Sequence, residues 1–121
     1  MKKSNRKKLA IARFLQFVKK ELGIIKPFKV SLVTKRDDSL KTYAFYDPSS
    51  FDIKVYVANR GLADVLRSIA HELVHHKQKE QGRLERPIQD IGGEIEDEAN
   101  ARAGSLVKKF GYENPELAIY E

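Results

Sequence analysis

The chain has no cysteine. That excludes disulfide staples and thiolate metal sites together, so any metal must be held by histidine nitrogen and carboxylate oxygen. Such ligands suit Zn²⁺ and, less selectively, Mn²⁺, Co²⁺ or Ni²⁺. Long apolar runs are lacking as well. The longest near the start, "LAIARFLQFV" at 9–18, is interrupted by Arg13 and Gln16. It is too broken for a signal-peptide core and too short to span a bilayer, so a cytoplasmic protein with no membrane partner is expected. No repeat or low-complexity segment appears beyond a basic start.

What is present reads as one soluble domain: 121 residues, 33% charged and 41% hydrophobic, enough for a single core. The net charge of +6 is concentrated at one end, because Lys2, Lys3, Arg6, Lys7 and Lys8 all fall within the first eight residues. The division expected is a flexible basic tail over 1–8 and a nearly neutral domain over 9–121. Such a tail is read as solubilising; weak contact with nucleic acid or an acidic partner is the alternative.

Periodicity then orders the elements. Ile11, Phe14, Leu15, Val18 and Leu22 have the spacing of an amphipathic helix over 6–23, stopped by Gly23. "FKVSLVTKR" (28–36), "LKTYAFY" (40–46) and "FDIKVYVA" (51–58) alternate as strands. The short turns "RDDS" and "DPSS" between them predict an antiparallel three-stranded meander. Leu62, Leu66, Ile69 and Leu73 mark a helix ending near Gly82. A polar loop, 79–90, follows as lid or connector, with Pro87 and Asp90 where a new helix can start. Ile91, Ile95, Ala99, Ala103, Leu106 and Phe110 form the last stripe, closed by Gly111 with Pro115 beyond. The fold class is α+β.

The chemistry is concentrated in "IAHELVHHKQ", residues 69–78. At about 100° per residue, His71 and His75 stand one turn apart on one helix face, and Leu62, Leu66, Ile69 and Leu73 are centred opposite. The neighbours of the pair are polar: Asp64, Ser68 and Gln78. His76 falls beside Ile69 and reads as a packed or partly solvated structural histidine. Glu72 flanks the pair, placed to hold and deprotonate water without being a ligand. His-Glu-x-x-His also arises by chance on exposed helices, so a third ligand has to be found.

No histidine follows His76, so that ligand has to be a carboxylate. "GGEIEDEANARAG" (92–104) offers Glu94, Glu96, Asp97 and Glu98. Measured from the centre of the apolar stripe, Glu96 lies at about 60°, Glu98 at about 100°, Glu94 at about 140° and Asp97 at about 160°. A ligand from a helix packed on its neighbour borders the apolar face, which favours Glu96, with Glu98 the runner-up. Ala99 and Ala103 allow the two helices to approach closely.

"HELVHHKQ" followed by "EIEDEANARA" resembles the minimal gluzincin metalloproteases, particularly small phage-encoded metallopeptidases and the ImmA/IrrE type. The resemblance covers about residues 51 to 106. It implies a zincin-like domain with one Zn²⁺ per chain on His71, His75 and Glu96, and with Glu72 as general base. Asn100 matches a position where gluzincins often carry an aspartate bonded to a ligand histidine; asparagine accepts that bond without charge. A zinc metallopeptidase acting on a peptide or protein substrate is therefore expected, as a monomer, in host cytoplasm if phage-encoded or else in a bacterium. The substrate is expected along the edge of the third strand, with Tyr112 and Tyr56 as candidates to steady the oxyanion. The rival readings are a regulatory protein that keeps the metal fold but cleaves one partner or none, and a nucleic-acid module led by the basic tail.

Overall fold

The computed structural model describes residues 3–35, 42–84 and 93–121. Helix α1 spans Lys3–Leu22 and ends where Gly23 takes φ 63°, a left-handed conformation that costs glycine least. Its first turns contain Lys3, Arg6, Lys7 and Lys8, so the basic segment read as a frayed tail is helical from Lys3 onward.

Strands β1 (Lys29–Val33), β2 (Ala44–Asp47) and β3 (Asp52–Tyr56) form one sheet in the order β1-β3-β2. β2 and β3 are antiparallel, whereas β1 and β3 are parallel. The sheet is mixed, and the expected meander is not there. The β2–β3 hairpin forms for local reasons. Asp47 Oδ1 accepts from the backbone N–H and the hydroxyl of Ser49, and Phe51 N–H closes the turn onto the Asp47 carbonyl at 2.8 Å. β1 instead lies on the far side of β3 and runs with it. Alternation reveals which face of a strand is buried, not which neighbour it takes or in which direction. The turn expected at 36–39 and the start of the strand expected at 40 lie largely outside the described residues.

Helix α2 spans Leu62–Glu80 and its chain leaves through Gly82 at φ 74°. The Pro87–Asp90 helix start, and with it the lid-or-connector question, lies outside the described residues. Helix α3 spans Gly93–Glu113 and runs through Gly111, the expected stop. Gly111 has a packing role instead: a Cβ there would meet Ile119 and Tyr120 at 3.1 Å. The helix ends at Asn114, whose side-chain amide donates to the Phe110 carbonyl, and Pro115 opens a short 3₁₀ turn over Pro115–Leu117.

One core joins these elements. Phe14 and Val18 of α1, Ile53 and Val55 of β3, Leu66, Ile69 and Leu73 of α2, and Ala99, Ala103 and Phe110 of α3 are all buried. Phe14 and Phe110 meet edge to face at 5.1 Å. Each of the larger of these side chains contributes roughly 1.5–3 kcal/mol over its exposed state, the alanines less. α2 lies at the centre, in contact with α1, α3 and the sheet. No helix among the described residues is long and apolar enough to cross a membrane.

Candidate metal centre

The α2–α3 contact is an antiparallel pairing held close by Ala99 and Ala103. Rung by rung it places Gln78 against Ile95, His75 against Glu96, and Arg67 beside Gly104. Between the first two helical turns of α3 and the middle of α2, three ligand-type side chains converge. His71, His75 and Glu96 present atoms that all lie within 4.8 Å of one another. His71 Nε2 and His75 Nε2 are 3.1 Å apart. Glu96 Oε1 is 2.7 Å from His75 Nε2, and Glu96 Oε2 is 3.5 Å from His71 Nε2. A tetrahedral ion with bonds of about 2.0–2.1 Å separates its ligands by about 3.3 Å, so these spacings suit one.

Hydrogen bonding identifies what the cluster needs. The Gln78 amide nitrogen donates to the Ile95 carbonyl and to Glu98 Oε1. Its carbonyl oxygen therefore faces His75 Nδ1, 2.7 Å away, and Nδ1 has to be the donor. In the neutral ring, Nε2 is then bare. It points at Glu96 Oε1, a buried carboxylate oxygen without a hydrogen-bond partner. Two lone pairs face each other across 2.7 Å. A cation between them removes the conflict, and the residues present fit one.

The charges point the same way. His71 is held below its ordinary pKa by burial first and by His75 second, against the opposing pull of Glu96 and Asn100, so the ring is neutral and able to ligate. Asn100 hydrogen-bonds His71. Glu72 is buried beside the cluster without belonging to it. Burial, then the charge of Glu96, pushes its carboxyl up to about 8. Both are costs that a neighbouring cation offsets.

The expectation that the histidine pair faces a polar surface needs correction. His75 is fully buried, because α3 covers that side of α2. The pair avoids the Leu66–Leu73 stripe as expected, but it lies under a second packed face. Glu98, the runner-up ligand, is spent elsewhere: it pairs with Arg83 at 3.0 Å and accepts from Gln78. It reaches the site only through Gln78, a contact that no motif spacing signals.

His76 is the structural histidine expected. It is fully buried, with Phe28, Phe51 and Tyr46 edge-on around its ring. Its Nε2–H donates to the Lys26 carbonyl at 2.9 Å, so Nδ1 accepts from the Tyr46 hydroxyl at 2.8 Å.

Beside the cluster opens a groove of about 850 Å³. Its floor includes Arg67, Ser68, His71, Glu72, His75, Glu96 and Asn100, and β2 forms a wall. Neither expected oxyanion tyrosine lines it. Tyr112 is 77% exposed, roughly 24 Å along α3 from Glu96. Tyr56 lies on β3, its ring stacked on Tyr43. Tyr46 does line the groove, but its hydroxyl is committed to His76. The β3 edge expected for substrate is closed, since β3 is the central strand. The strand bordering the groove is β2, an edge strand. Tyr56 N–H bonds the Tyr43 carbonyl, and the alternation of an antiparallel ladder then turns the N–H and C=O of Ala44 and Tyr46 outward.

Comparison of the chain with protein-family models, curated proteins and solved structures gave no match.

Proposed function

We propose that this protein is a zinc-dependent peptidase. The observation that carries the reading is the convergence of His71 Nε2, His75 Nε2 and an unpartnered Glu96 oxygen beside a groove walled by an edge strand. Two imidazoles and one carboxylate with an open fourth position is the ligand set of a catalytic zinc. Zinc held there supplies Lewis acidity to a bound carbonyl.

The chain's own residues supply the rest. The outward N–H groups of Ala44 and Tyr46 and the Tyr46 C=O hold an extended peptide as an added strand, the Ala44 C=O already accepting from the Thr42 hydroxyl. Glu72 takes a proton from water as its oxygen bonds to the scissile carbonyl carbon, then passes that proton to the amine nitrogen as the C–N bond breaks. Gln78 keeps His75 Nε2 aimed at the metal, and Asn100 does the same service for His71.

The test is metal content by mass spectrometry beside turnover of a peptide library. About one zinc per chain is expected, lost in His75→Ala and in Glu96→Gln. Glu72→Gln is expected to keep the metal and to lose about 10²-fold or more of its rate. Protein that takes up no metal, or a Glu72→Gln variant that cleaves undiminished, sinks the reading. Metal uptake with no cleavage of any substrate moves the protein to the regulatory alternative.

A further inference from the structure

The groove has one cationic side chain among its described lining residues, Arg67, against three carboxylates, Asp47, Glu72 and Glu96. Arg67 is exposed and has no hydrogen-bond or ion-pair partner among the described residues. The other arginines nearby are occupied. Arg60 bonds Asp64, Ser68 and the Tyr56 carbonyl, and Arg83 holds Glu98. Among the described residues Arg67 is thus an uncommitted fork of donors opening onto the site.

Its place is set by the helix pairing. It stands one turn before His71 on α2, a rise of about 6 Å. Its guanidinium lies over α3 at Gly104, 3.6 Å from where a Cβ would be. β2 runs in the same sense as α2: Tyr43 lies under Arg60 at its start and Tyr46 reaches His76 near its end. The groove is therefore polar along its length, with Arg67 toward the start of β2 and Asp47 at its end. A peptide paired antiparallel to β2 brings the chain on the C-terminal side of its scissile bond toward Arg67. The parallel alignment brings that side toward the Asp47 carboxylate instead. At about 3.3 Å per extended residue, the Arg67 rung is one or two residues from the bond cleaved.

We infer that Arg67 is the specificity-determining residue of this groove, selecting peptides with a carboxylate one or two residues beyond the scissile bond. The carboxylate is an Asp or Glu side chain or a free C-terminus; guanidinium pairs with either. The inference rests on reading the groove as a peptidase cleft.

The test is peptide binding to the Glu72→Gln protein, with and without zinc, by fluorescence anisotropy. Four labelled hexapeptides share one core: a free C-terminal carboxylate, an amidated peptide with an internal Glu, the uncharged amide, and the same amide with Lys. The carboxylate peptides are expected to bind about five-fold tighter than the uncharged amide, the scale of one partly exposed ion pair. The preference should vanish in Arg67→Gln and return in part in Arg67→Lys. The carboxylate peptide that shows the gain identifies the source. Equal binding of all four, no binding of any, or a preference that survives Arg67→Gln overturns the inference. The zinc-free arm needs no metal and no turnover, so a failed metal site and a failed Arg67 are read separately. Metal uptake and cleavage without any carboxylate preference would leave the peptidase standing and remove Arg67 alone.

Discussion

Three histidines within six positions have three different fates, and their neighbours decide each one. His76 has both ring nitrogens satisfied inside the core, by Lys26 and Tyr46. His75 is as deeply buried, but among the described residues its second nitrogen faces Glu96 and His71 alone. His71 reaches the groove and leans on Asn100. The difference between a packing residue and a ligand is thus one unsatisfied lone pair. Gln78 makes that difference at His75, since its carbonyl oxygen accepts the Nδ1–H bond, fixing the proton on Nδ1 and leaving Nε2 bare. Gln78→Leu removes this acceptor at similar volume. Metal affinity is expected to fall about 10–100-fold in competition with a chromophoric chelator, while Glu72 stays in place. Unchanged affinity would show that packing alone orients His75.

At the scale of elements, α2 carries the site and its C-terminal end is tied down separately. Glu80 Oε2 accepts the backbone N–H groups of Ile25 and Lys26, and Lys77 pairs with Oε1. Burial works to raise the Glu80 pKa, but the Lys26 and Ile25 bonds and the Lys77 charge outweigh it, and the carboxyl is held low. A carboxyl with a lowered folded pKa stabilises the protein above its unfolded value of 4.5, and that contribution is lost as pH falls through the folded value. Glu80→Gln is therefore expected to cost about 1–2 kcal/mol at neutral pH and to flatten the acid limb of a stability–pH curve. Urea titrations from neutral pH to below 4.5 check both parts. An equally steep acid limb in the variant would assign the acid sensitivity elsewhere.

For the whole molecule, the candidate ligands come from two helices separated by residues 81–92, so an ion bound there would link α2 to α3. A ligand that binds only the folded chain stabilises it by mass action, about 4 kcal/mol at a thousand times its Kd. Chelation should therefore lower the Tm by on the order of 10 °C, and added zinc should restore it. The His75→Ala protein should show no such response in the same thermal scans. A Tm indifferent to chelator in the parent chain would argue against a filled site.

Much of this was set by the chain alone. The helical spacing of His71 and His75, the absence of a later histidine, and the phase of Glu96 against the Ile95–Phe110 stripe are local properties that a 3.6-residue period exposes. The burial of Ile95, Ala99, Ala103, Leu106 and Phe110 follows from the same pattern. Other features depend on long-range contacts. Strand alternation could not reveal that β1 joins β3 in parallel, nor that β2 is the edge at the groove, because side-chain period specifies a face and not a partner. Gly111 looked like a helix stop and proved a contact for the C-terminal segment. Gln78, Arg67 and the exclusion of Tyr56 and Tyr112 from the groove appear only when α3 and the sheet close on α2. The sequence by itself determined which residues could bind a metal, since that depends on side-chain chemistry and helix period. Only the tertiary structure decided which atoms face each other without a proton between them, since that depends on packing across elements far apart in the chain.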